Sequence, residues 1–134
     1  MIPVQKKHSI TRRAVFGLVA VVLSGVVYAH HSNTPFDMSR MLEASGIVQR
    51  ADFRNPHSLL TLLIENEGGT TEVTYEGHSL ATLRHYGLLP SMVRTGDLID
   101  IAYAPRRDDA PGGIFLIITT PAGETLDFSQ LGYD

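Results

Sequence analysis

The amino-acid sequence predicts a mainly β protein: a small five-stranded OB-like barrel with one short helix, preceded by an N-terminal signal helix. Segments typical of strands occur in the order three strands, a helix, two strands and a short extension, which is the order of an OB-type barrel. Two of these strands are nearly all apolar, and closing the sheet into a barrel removes the edges that they would otherwise expose. An open antiparallel sheet with the helix on one face is the alternative.

Residues 1–29 have the pattern of a secretory signal peptide. Four basic residues precede an uncharged run over residues 14–29, which ends at Ala29. A basic head, an apolar stretch and a small-residue end are the three regions of such a signal. Because the run is shorter than the roughly 20 residues of a membrane span, we expect cleavage and a periplasmic or secreted product. An uncleaved anchor in the inner membrane is the alternative, and Arg12-Arg13 fits a Sec or a twin-arginine signal.

The first strand follows an irregular stretch. Residues 30–43 are predicted to be an irregular N-terminal segment, and residues 44–134 a single β-barrel domain. Strand-like residues continue to Phe53, and Asn55-Pro56 ends the strand because proline cannot donate to a β-ladder.

The second and third strands are predicted to form a hairpin. Residues 58–64 make a nearly continuous apolar run, which suits a central strand buried on both faces. Glu67-Gly68-Gly69 is typical of a hairpin turn. Residues 71–76 then alternate between the two faces of a half-exposed strand.

A single convincing helix follows the hairpin. Ser79 can cap it, Leu80 and Leu83 share a face, and Gly87 supplies a left-handed stop. Residues 90–93 are expected to add one further turn.

The last strands are separated by turns. We predict strands at 98–104 and 114–118, an exposed loop over 105–113, and a short strand at 126–128. The core is expected to include Leu60, Leu62, Ile99, Ile101, Phe115 and Ile117.

Charge and cysteine content exclude several classes of protein. Removal of the signal would leave seven arginines, no lysine and 14 acidic residues, a formal charge of −7. Such a domain lacks the basic stripe that nucleic-acid binding requires. Without cysteine, neither a disulfide nor a thiolate metal site is possible. Nothing in the remaining sequence would span a bilayer.

Histidines are the candidate metal ligands. His30 and His31 would open the mature chain, and His57 follows Asn55-Pro56. An N-terminal histidine can chelate a metal through its α-amine and Nδ1, and another imidazole completes a three-nitrogen site that suits Cu(II). The sequence therefore predicts His30, His31 and His57 as metal ligands and copper as the cofactor. The alternative is a polar tail, with His57 bonded to the backbone.

Other residues and motifs indicate a function less strongly than these histidines do. His78 and His85 are expected to be surface residues without a role. No Gly-x-Ser-x-Gly elbow, phosphate loop or dinucleotide fingerprint occurs, so a hydrolase is not supported. The pair Asp108-Asp109 is expected to be solvated charge on a turn.

The sequence resembles a family of small exported bacterial proteins, domain-of-unknown-function family 6152. The most specific motifs are Ala29-His30-His31-Ser32 and Asn55-Pro56-His57, and the resemblance covers essentially the whole mature domain. Family members usually carry Trp before the second motif and after the helix glycine, where Phe53 and Leu88 stand here. The family has no established activity, so the resemblance implies export and domain extent.

Three functions are compatible with these features. The leading hypothesis is a non-enzymatic periplasmic protein that binds copper. The second is a structural or protein-interaction module of the cell envelope without metal. The third, a copper-dependent redox enzyme, is the weakest, because the sequence shows no substrate groove.

Overall fold

The computed structural model describes residues 34–132, so the predicted signal segment, His30 and His31 lie outside the described residues. Within the described range the chain forms six strands and one α-helix. The strands are β1 (Leu42–Asp52), β2 (Ser58–Asn66), β3 (Gly69–Gly77), β4 (Leu98–Pro105), β5 (Gly113–Thr119) and β6 (Thr125–Asp127). Helix α1 (Leu80–His85) and a 3-10 helix (Pro90–Met92) connect β3 to β4. None of the helices in this range is long and apolar enough to cross a membrane.

A parallel contact closes the sheet into a barrel. The antiparallel neighbours follow the order β3-β2-β1-β4-β5-β6. In addition, Tyr75 of β3 pairs with Gly113 of β5, and Glu76 pairs with Ile114. The first five strands therefore form a closed ring, and β6 extends β5 outside it. This architecture confirms the predicted OB-like barrel.

Strand β1 is longer than the sequence indicates, because it pairs with two neighbours in succession. Residues 42–47 pair with β4, and residues 47–52 pair with β2. The change of partner falls next to Gly46, where a Cβ would lie 2.7 Å from the carbonyl oxygen of Leu63. Because residue 46 is a glycine, β1 and β2 can approach each other closely at this point.

Helix α1 has the predicted cap and stop. The Ser79 hydroxyl accepts a hydrogen bond from the Thr82 amide at 3.1 Å, which satisfies one amide of the first turn. Gly87 has a φ of +98° and ends the helix. Leu83 is fully buried and joins the helix to the barrel core.

The interior of the barrel is apolar. Its main cluster comprises Val48, Leu60, Leu62, Tyr75, Leu83, Leu88, Val93, Ile99, Ile101, Phe115, Ile118 and Phe128. The predictions for Leu60, Leu62, Ile99, Ile101 and Phe115 are therefore confirmed.

The prediction for Ile117 is wrong, and a bulge in β5 is the cause. Tyr103 pairs with Phe115 and Ala102 with Ile117, so Leu116 is an extra residue in β5. An extra residue reverses the inward and outward alternation beyond it. Ile117 is consequently only half-buried, while Ile118 is fully buried.

Candidate functional site

The turn between β1 and β2 is tied to the start of helix α1. The Leu80 amide donates to the Arg54 carbonyl at 3.0 Å. The Ala81 amide donates to the Asn55 side-chain oxygen at 3.2 Å. The Asn55–Pro56 peptide bond is cis. The two hydrogen bonds hold the turn, and with it the backbone of His57, beside the helix.

His57 lies next to His78 at one end of the barrel. Ser58 pairs with Gly77 at the end of the β2–β3 ladder, and the Ser58 amide donates to the His78 carbonyl at 3.3 Å. Gly77 has no space for a side chain, because a Cβ there would overlap the Phe115 ring. The backbone that carries His78 is thus fixed closely against the core.

Both histidines line one surface groove of about 380 Å³. Helix α1 and the end of the described chain supply its other walls. The remaining lining residues are Pro56, Ser79, Thr82, Tyr86, Leu131 and Gly132. The groove therefore combines two imidazoles with hydroxyl groups and an exposed tyrosine.

His78 is buried, which corrects the expectation that it is a surface residue. Its side chain is only 7 % exposed, and its ring centre lies 6.4 Å from that of Phe128. Burial, followed by the neighbouring charge of His57, lowers the pKa of His78. A lowered pKa favours the neutral imidazole, the form that binds metals. His57 itself is half-buried, and His85 is exposed as predicted.

The predicted ligands are only partly covered by the structure. His57 lies in the groove, whereas His30 and His31 fall outside the described residues. Across residues 34–132, no three His, Cys, Asp or Glu side chains are grouped so that they could hold a metal ion. The described part of the chain therefore brings two imidazoles together, His57 and His78.

The Asp108-Asp109 loop carries exposed charge. Arg106 donates to both carboxylate oxygens of Asp108, at 2.9 and 2.6 Å. These bonds lower the pKa of Asp108 to about 2, while Asp109 is exposed. Asp108 is therefore exposed charge paired with Arg106, in agreement with the prediction of solvated charge on a turn.

A larger depression of about 470 Å³ lies on the outer face of β1, β4 and β5. Glu43 and Asp100 are its acidic residues, and Ser45 and Thr119 supply hydroxyls. It contains no imidazole, so the groove with the two histidines is the better candidate for metal binding.

The approach of His78 to His57 could have been found in the sequence. A hairpin turn was predicted at Glu67-Gly68-Gly69, and the structure centres it between Glu67 and Gly68, so that His57 and His78 are equally distant from that centre. Residues equidistant from a two-residue hairpin turn lie opposite each other on neighbouring strands. The sequence alone gave no sign that helix α1 and Leu131 would enclose the pair.

A comparison with protein families gives one match. The model described as "Family of unknown function (DUF6152)" matches residues 18–115, more than half of the chain. A search of curated proteins finds no match.

Proposed function

The chain belongs to the family of unknown function DUF6152, and from the groove beside His57 we propose that it is an exported protein that binds a copper ion. His57 supplies an imidazole from the barrel, and the mature N-terminus supplies the α-amine and the imidazole of His30. His31 offers a further donor. The family resemblance inferred from the sequence is confirmed, but the family description assigns no activity.

The observation that carries the proposal is the fixed position of His57. The side chain follows a turn that is bonded to α1 by Leu80 and Ala81, and it lines a groove large enough for an ion and its ligands. Because hydrogen bonds hold the turn, the backbone that carries the imidazole is already ordered when the ion binds. Imidazole nitrogens favour Cu(II) among the common divalent metals.

Export and processing are the first requirement of the proposal. We expect the protein recovered from the periplasm to begin at His30, because residues 14–29 form an apolar run behind a basic head. The intact mass of that protein measures the start directly. A mass that includes residues 14–29 would contradict both cleavage and a free α-amine at His30.

Copper binding is the second requirement. We expect His57→Ala to weaken Cu(II) binding by about tenfold or more, because an imidazole ligand is lost. The fold should be unchanged, since His57 is half-buried in a turn. Competition against a coloured copper chelator measures the affinity.

The exposed His85 provides the matched control. His85→Ala should leave the affinity unchanged. Equal affinities for all three proteins would contradict the proposal and favour the metal-free envelope module.

A further inference from the structure

We propose that His78 is a second copper ligand supplied by the barrel, so that His57 and His78 form a two-imidazole half-site. The inference rests on the proposed copper-binding function and deepens it. It assigns a ligand from the described part of the chain, which does not depend on processing of the N-terminus.

The hairpin register brings the two side chains together. The β2–β3 ladder runs without a shift from Asn66 opposite Gly69 to Ser58 opposite Gly77. Beyond that pair the Ser58 amide donates to the His78 carbonyl at 3.3 Å, so the backbone of His78 stays beside the start of β2, which His57 directly precedes. Both side chains line the same groove. Two imidazoles in one groove of this size can bind the same ion.

Packing fixes the His78 ring more firmly than that of His57. His78 is 7 % exposed, and its ring lies beside the fully buried Phe128. Its Nε2 atom is buried, so Nδ1 is the nitrogen that we assign to the ion. A ligand whose ring is already held by the core loses little conformational freedom on binding.

No third ligand comes from the described residues, since residues 34–132 hold no group of three metal-binding side chains. The half-site therefore leaves coordination positions for nitrogens from the mature N-terminus. Acetylation of the His30 α-amine removes the chelate of that amine but keeps both barrel imidazoles, and it is selective because residues 30–134 contain no lysine. The acetylated form separates the half-site from the N-terminal ligands.

The test compares Cu(II) affinity in the processed protein and in the acetylated form, each with and without His78→Gln. We expect His78→Gln to weaken binding about tenfold or more in both forms. His85→Gln, which alters an exposed imidazole on α1, should change neither affinity. Thermal unfolding of each variant establishes whether it is folded.

The outcomes separate the two proposals. If the processed protein binds Cu(II) no better than its His57→Ala variant, the proposed function is wrong. If His57→Ala weakens binding but a folded His78→Gln variant does not, the half-site alone is wrong.

A second measurement applies if His78→Gln does not fold. In the unaltered processed protein, Zn(II), a diamagnetic ion that also takes imidazole ligands, should shift the nitrogen NMR signals of His57 and of His78 Nδ1 and leave those of His85 unchanged. An unshifted His78 Nδ1 signal beside a shifted His57 signal would overturn the half-site.

Discussion

At the scale of the residue, Tyr75 shows how the barrel interior changes an ionisable group. Its side chain is 2 % exposed, and its ring meets that of Tyr103 edge-on with centres 4.8 Å apart. Burial, followed by the effect of Tyr103, raises the pKa of the Tyr75 phenol. The phenol therefore stays neutral in the folded protein at pH values where it ionises in the unfolded chain.

The raised pKa predicts a loss of stability in alkali. The unfolded phenol ionises near pH ~10, so the unfolded chain releases its proton at a lower pH than the folded one. The stabilisation is complete below that pH and is lost as the pH rises above it. We expect the free energy of unfolding, measured in urea, to fall above about pH 10, and to fall less steeply in Tyr75→Phe.

Tyr86 provides the control for this prediction, because its side chain is 46 % exposed. Tyr86→Phe should keep the pH dependence of the unaltered protein. If the free energy of unfolding falls equally steeply with pH in Tyr75→Phe and in the unaltered protein, the raised pKa of Tyr75 is contradicted.

At the scale of the element, the bulge in β5 makes neighbouring isoleucines unequal. Ile118 is fully buried in the main core cluster, whereas Ile117 is half-buried. We expect Ile118→Ala to lower the free energy of unfolding by about 2–5 kcal/mol, as is usual for a buried isoleucine. The loss for Ile117→Ala should be less than half as large. Urea unfolding of the two variants measures both losses of free energy. Equal losses would contradict the position of the bulge at Leu116.

The elements themselves could largely be predicted from the sequence, but their irregularities could not. Apolar alternation and turn residues indicated each strand, and Ser79 and Gly87 marked the ends of α1. Nothing in the apolar run from Ile114 to Ile118 distinguishes the extra residue, because all five side chains suit either face. The bulge depends on pairing with β4, a contact distant in sequence.

At the scale of the whole molecule, β2 is a central strand of the closed barrel. It lies between β1 and β3 in the sheet order, and Leu62 on it is fully buried. We expect Leu62→Ala to cost about 2–5 kcal/mol of unfolding free energy. A loss below about half a kcal/mol, well under the range for a buried leucine, would contradict the central position of this strand.

The candidate site was predictable in part. The sequence placed His57 in a turn after Asn55-Pro56, and the structure puts that turn against α1. The burial of His78 was missed, because it depends on Phe128, which lies 50 residues further along the chain. A core residue contributed from so far away leaves no local pattern in the sequence.

Copper binding by the processed protein is the central claim, and acetylation of the His30 α-amine tests it most directly. Acetylation alters no side-chain amine, because residues 30–134 contain no lysine, but it removes the α-amine from the chelate ring that it shares with the His30 imidazole. We expect the processed protein to bind one Cu(II) per chain and the acetylated form to bind it at least about tenfold more weakly. Competition titration against a copper chelator gives both affinities. Equal affinities would contradict an N-terminal copper site.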